Sequence, residues 1–239
     1  MQPIKNTATV LAVLAVLAAC GDDGATTDPQ ANEQATTATA TQAADCQAVG
    51  YNRDELAPGC WAIQVRGLSG SPLAELDLPA GFTGNDAWVW FNADQEEEWG
   101  AITLLPVGDV YPDPCTRPGN PPKVGPSVED FARALAAQKV TTTTTPVPVS
   151  LGGHDGLYLK VSVPAGFDSS ACRDKELRLW ETEGEEYPGA EASFESRYWV
   201  LDVDGQRVVL IVNTNTTATD ETVALFTRIA ESATFVEAS

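Results

Sequence analysis

Histidine is nearly missing from this 239-residue chain: His154 is its one imidazole. Triad chemistry needs such a base against the nucleophile, yet Gly152-Gly153-His154-Asp155-Gly156 reads as a turn before a strand. Neither a Gly-x-Ser-x-Gly elbow nor a Ser-x-x-Lys pair occurs. Basic side chains are scarce as well, 14 Lys and Arg against 34 Asp and Glu, for a formal net charge of −20. Phosphate neutralisation requires a cationic face, so the balance argues against nucleic acid as a partner. There is no Cys-x-x-Cys pair, and His154 is far in sequence from every cysteine, so neither a zinc site nor any other metal or cofactor is expected. Long apolar runs are missing too. The run from Val10 to Ala19 covers ten residues, short of the roughly 20 that a membrane-spanning helix needs.

That run has a different meaning in its context. A short polar start with one cation, Lys5, precedes it, and Cys20 follows it, which is the layout of a signal peptide over residues 1–19. Leu17-Ala18-Ala19-Cys20 resembles the lipobox of bacterial lipoproteins, which implies cleavage before Cys20 and acylation of its thiol. Two or three acyl chains, at about 0.8 kcal/mol per buried methylene, anchor a protein without any spanning helix. The expected location is therefore the extracytoplasmic face of the cell membrane, with the lipid as the contact to the bilayer. Removing the leader deletes Lys5 alone, leaving 13 bases against 34 acids, or −21.

Residues 20–45 form the expected tether, rich in Thr, Ala, Gln, Asp and Gly with almost no large apolar side chain, so it cannot bury a core. As a flexible coil it reaches roughly 25 to 30 Å. Residues 46–239 carry recurring aromatic and aliphatic side chains, enough for one core, and no second linker is evident. This domain holds Cys46, Cys60, Cys115 and Cys172, an even number beyond a secretory leader, so two disulfides are expected. Of the three possible pairings, Cys46 with Cys60 and Cys115 with Cys172 closes the short loops at least entropic cost.

Short segments rich in β-branched and aromatic residues predict strands at Trp61–Val65, Ala87–Phe91, Ala101–Leu105, Gly156–Val163, Glu176–Trp180, Tyr198–Asp202 and Arg207–Asn213. The sharpest signal is Asp204-Gly205 between two apolar runs, because both residues accept the positive φ angles of a type I′ hairpin turn. Ser127 followed by Asp130 predicts a capped helix with Val128, Phe131 and Leu135 as its apolar stripe. A second helix is predicted after Thr219 or Asp220, with Val223, Phe226, Ile229 and Ala230 on one face, and then a last strand at Thr234–Val236. Each helix has a polar back, so each should lie on a sheet. The class is α+β, an antiparallel sheet with two main helices packed on it. From Leu78-Pro79-Ala80-Gly81-Phe82 through the segment Ala224 to Phe235 this order resembles the PsbP-like fold. The Ala- and Thr-rich tether and the hairpin also resemble many lipoproteins of high-GC Gram-positive bacteria. PsbP-like domains mostly act as binding or assembly modules, so the resemblance implies binding in place of catalysis and carries over no catalytic residue.

The expected function is a non-enzymatic binding or accessory module of the cell envelope, with an envelope protein, a wall polymer or a small ligand as partner. The alternative is an extracytoplasmic carboxylate-dependent hydrolase acting on wall or glycan material, since such chemistry needs only two suitably spaced acids. The acidic runs Glu96-Glu97-Glu98 and Glu181 to Glu186 read as solvated turns, and Asp202 and Asp204 as parts of the hairpin. Trp88 and Trp90 share one face of a strand whose other face carries Val89 and Phe91. Core packing is the expectation for these indoles; stacking on sugar rings is the other possibility.

Overall fold

The computed structural model of the chain describes residues 46–65, 70–91, 98–182, 185–187 and 194–237. The signal segment, Cys20 and the tether lie outside the described residues, as do Glu96, Glu97, Glu183 and Gly184 of the acidic runs. The first half of the domain contains β1 (Gln47–Ala48), β2 (Asp54–Leu56), β3 (Gly59–Gln64), β4 (Leu73–Leu78), β5 (Phe82–Asn85), β6 (Trp88–Phe91), β7 (Gly100–Pro106), β8 (Asp109–Val110) and α1 (Val128–Ala136). The second half contains β9 (Thr142–Thr143), β10 (Val147–Leu151), β11 (His154–Ser162), β12 (Trp180–Thr182), β13 (Glu185–Tyr187), β14 (Phe194–Val203), β15 (Gln206–Asn215), α2 (Asp220–Glu231) and β16 (Thr234–Val236).

The expected hairpin is the centre of the molecule. Asp204 and Gly205 adopt φ of 52° and 82°, the left-handed pair that a type I′ turn requires, and β14 and β15 pair from Val203 with Gln206 out to Phe194 with Asn215. Asp202 Oδ1 accepts from the Gly205 N–H at 2.8 Å and fixes the turn. Around this hairpin grows a nine-stranded antiparallel sheet in the order β10-β11-β14-β15-β7-β6-β5-β2, with β9 also paired to β11. The middle of the hairpin, Tyr198–Leu201 and Val208–Val212, is apolar and buried on both faces, so the sheet must be covered on both sides.

On one face Leu159, Tyr198, Val200, Val209 and Ile211 pack with Phe131 and Leu135 of α1 and with Trp180. Phe131 and Tyr198 both meet the Trp180 ring edge-on, at centroid distances of 5.5 and 6.2 Å, a favoured aromatic geometry. On the other face Ile102, Leu104, Trp199, Leu201, Leu210 and Val212 pack with Phe226 and Ile229 of α2 and with Ile63, Leu76 and Leu78. Gly100 leaves room for the Phe226 ring of α2 against the sheet: a Cβ there would lie 2.3 Å from that ring. The two helices therefore cover opposite faces, and the hairpin is the wall they share.

The class is α+β as expected, with two corrections. The sheet does not stand alone: β1-β3-β4-β16 form a four-stranded sheet that joins α2 in covering its face, and β13-β12-β8 form a three-stranded one. The predicted strand Glu176–Trp180 shrinks to β12, starting at Trp180. Residues 177 and 179 still bury their leucines, but the backbone bonds of this stretch go to a loop: Tyr111 N–H donates to Leu179 O and Arg178 N–H to Pro114 O. Among the described residues no helix is long and apolar enough to cross a membrane.

Cys46 bonds to Cys60 and Cys115 to Cys172, with Cα atoms 4.8 and 4.6 Å apart. The first ties the start of the domain to β3; the second ties the Pro-rich segment after β8 to the 3₁₀ turns before β12. Arg117 reinforces the second staple: its fully buried guanidinium donates to Arg173 O at 2.7 Å and to Asp174 Oδ2 at 2.9 Å. Two such bridges fit a protein folded in an oxidising, extracytoplasmic compartment.

Candidate functional site

The α1 face of the main sheet carries the candidate sites, because α1 and the loops around it leave openings there. At the N-terminus of α1, the Asp130 N–H donates to Ser127 Oγ at 3.1 Å and the Ser127 N–H to Asp130 Oδ2 at 3.3 Å, the reciprocal capping box read from the sequence. Those bonds hold the Asp130 carboxyl below its usual range, the Ser127 backbone bond most of all and then the Arg133 guanidinium. Arg207 reaches up from β15 and donates to Ser127 O at 2.7 Å and to Gly125 O, so the helix terminus is pinned to the hairpin.

Beside that terminus runs a groove of about 660 Å³ in which Glu129, Asp155 and Asp202 are the acidic lining residues. This is where a carboxylate-dependent hydrolase would work. Asp202 is engaged by the hairpin turn. Elsewhere in the fold the carboxyls of Glu98, Asp113, Asp130, Asp168 and Glu195 are held below their usual range. A general acid needs the opposite displacement. Among the described residues no group of three or more His, Cys, Asp and Glu is arranged to hold a metal ion. On the far side of Arg207 a cleft of about 450 Å³ is lined by Asp109, Lys123, Glu181 and Thr182. Its charges are internally matched: Lys123 Nζ donates to Asp109 at 2.6 Å, which raises the Lys123 pKa, and Tyr111 donates to Glu181. His154 opens β11 directly after a Gly152-Gly153 turn, and its ring lies edge-on to Phe235 at 5.6 Å.

The indoles of β6 are not where the sequence put them. Val89 is buried, and Phe91 packs against the α2-side cluster, but Trp88 and Trp90 belong to neither apolar cluster and are partly exposed. Two β6 residues thus face the core, and the other two face outward where α1 does not extend; α1 packs on β8, β9, β11 and β14. The rings of Trp88 and Trp90 are nearly parallel, 10° apart with centroids at 6.3 Å. The Arg53 guanidinium lies over Trp90 at 5.3 Å, within cation–π reach.

Strand register surrounds these rings with polar groups. Thr83 pairs with Trp90 and Thr103 with Trp88, and one strand further on Asn213 pairs with Ala101, the partner of Trp90. Paired residues share a face, so Thr83, Trp88, Trp90, Thr103 and Asn213 form one patch across β5, β6, β7 and β15. The hydroxyls of Thr83 and Thr103 and the amide oxygen of Asn213 are buried and find no hydrogen-bond partner among the described residues. Thr103 is fully buried and Asn213 is 9% exposed. Each such group costs about 1–3 kcal/mol if left unsatisfied. The sequence does carry a signal for them: Thr103 interrupts Ile102 and Leu104, and Asn213 ends the apolar run Val208 to Val212.

The opposite face has a charged cluster with a structural role. Arg197, 5% exposed, donates to Thr214 Oγ1 at 3.2 Å and to Glu195, and Lys160 Nζ meets Glu195 at 3.0 Å. Burial would push the Glu195 carboxyl up, but the Lys160 hydrogen bond and the Arg197 charge outweigh it and hold the group below its usual range.

Fold and site together define a disulfide-stapled α+β domain whose main sheet offers an aromatic and polar patch on one face. No family model matches the chain, and no curated protein matches it. Among solved structures, the chain has a similarity to LpqN, described as involved in cell envelope biogenesis of Mycobacterium tuberculosis, at 15% identity and a TM-score of 0.33 over 73% of this chain and 89% of that one.

Proposed function

We propose that this chain is a lipid-anchored, non-enzymatic binding or accessory module held on the extracytoplasmic face of the cell membrane. The observation that carries the reading is the cysteine pairing. Five cysteines are present, four of them pair with one another, and the thiol left over belongs to Cys20 in the lipobox-like Leu17-Ala18-Ala19-Cys20. The PsbP-like layout read from the sequence supports binding over catalysis. The carboxylate-dependent hydrolase would work in the groove of Glu129, Asp155 and Asp202.

Cys20→Ser tests the anchor. The variant should be released from membranes or persist as an uncleaved precursor, read by fractionation and intact mass. Unchanged membrane retention and mass would sink the proposal. Crosslinking in intact cells, followed by mass spectrometry, should capture an envelope component with the wild type; capturing nothing would count against the binding role.

A further inference from the structure

We propose that the Trp88–Trp90 face of the main sheet is a carbohydrate-binding surface that takes a neutral saccharide chain. The inference deepens the binding-module reading and rests on it. Four observations point to that ligand chemistry together. First, the indoles are nearly parallel, offset by one side-chain repeat of a strand, and partly open to solvent. A sugar ring has an apolar C–H face and a polar rim, and a flat indole matches the face. Second, polar groups lie on the same face beneath the rings: the Thr83 and Thr103 hydroxyls and the Asn213 amide oxygen, buried and without a partner among the described residues. A ligand site is built in this way, from apolar area with a few convergent polar groups.

Third, Arg53 is exposed and lies over one face of Trp90, which brings its N–H donors to the indole pair. Its charge disfavours a cationic ligand at the patch, while the net charge of −20 repels a polyanion. An uncharged chain of hydroxyl-bearing rings meets neither objection. Fourth, the open apolar part of this face is the Trp88–Trp90 pair on β6, with ring centroids 6.3 Å apart. That length suits two linked rings better than a single one.

The test uses the purified full chain in a detergent without a sugar headgroup, titrated with chitohexaose, cellohexaose, mannohexaose and maltohexaose. Saturable binding to at least one, with a Kd of about 0.1–1 mM, is expected from calorimetry, with a shift of tryptophan emission. Trp88→Ala and Trp90→Ala should each weaken it about tenfold, whereas Trp61→Phe, on the four-stranded sheet, should leave it unchanged. Trp90→Phe keeps an aromatic face and should retain part of the affinity. Should the alanine variants fail to fold, the indole N–H resonances of Trp88 and Trp90 in the wild type provide the readout, and they should move on saturation. Absence of saturable binding to all four sugars at about 10 mM overturns the inference, as does binding that moves neither indole or survives both alanine substitutions. Capture of a protein, with the crosslink on Trp88 or Trp90, also overturns it. In that case the binding-module reading stands, because it is tested separately by the fate of Cys20→Ser and by capture in intact cells.

Discussion

Glu195 connects electrostatics to stability at a single residue. Its pKa is lowered in the fold, so its contribution is fully present above the ordinary Glu value of about 4.3 and is lost as pH falls through the lower folded value. The thermal midpoint should therefore be flat from pH 7 down to about 5 and fall below the ordinary carboxylate range. Glu195→Gln leaves the guanidinium of Arg197, only 5% exposed, without its carboxylate. It should lower stability at pH 7 by about 1–2 kcal/mol, a figure moderated by the partial exposure of Glu195, and shallow the acid limb. An unchanged acid limb in the variant would show that this carboxylate has no part in it. Individual residues differ in how readily they are read from sequence. Ser127 and Asp130 were legible because a cap acts within three residues, whereas Thr214 beside Arg197 and Trp90 beneath Arg53 lie on other strands and leave no local trace.

Elements follow the same rule. The hairpin and both helices were legible because their determinants are local: Asp204-Gly205 for the turn, Ser127 and Thr219 for the caps, and a 3.6-residue apolar stripe for each helix face. Leu73–Leu78 escaped notice because Leu, Ala and Glu are helix formers, although its inward residues alternate as in a strand. Trp88 and Trp90 were misjudged because a sheet buried on both faces in its middle reads the same as one whose far end is open on one side. Only the extent of α1 distinguishes them, and that is a tertiary fact. The turn gives the element-scale prediction. Gly205 sits at φ 82°, so Gly205→Val, a β-branched residue in the left-handed region, should cost about 1–3 kcal/mol by urea denaturation. A denaturation midpoint equal to wild type would refute the type I′ assignment.

At the scale of the whole molecule, the two bridges close loops of different length. Cys115 and Cys172 are 57 residues apart and Cys46 and Cys60 are 14 apart. Chain-entropy arguments give about 4 kcal/mol for the longer loop and about 3 for the shorter. Replacing Cys115 and Cys172 by Ser should therefore lower the thermal midpoint more than replacing Cys46 and Cys60, the more so because Cys172 is itself buried in the α1-side cluster. The reverse order by calorimetry would mean that the shorter bridge contributes through native packing.

The shorter bridge also sets how the domain bears mechanical load. A pull on the chain from its N-terminal side enters at Cys46, and the covalent link to Cys60 passes it straight to β3, an inner strand of the four-stranded sheet. Residues 47–59 are thereby bypassed, and the two-residue parallel pairing of β1 is spared from peeling first. Traction that would unzip a weak edge is delivered instead to a strand hydrogen-bonded along its length to β4.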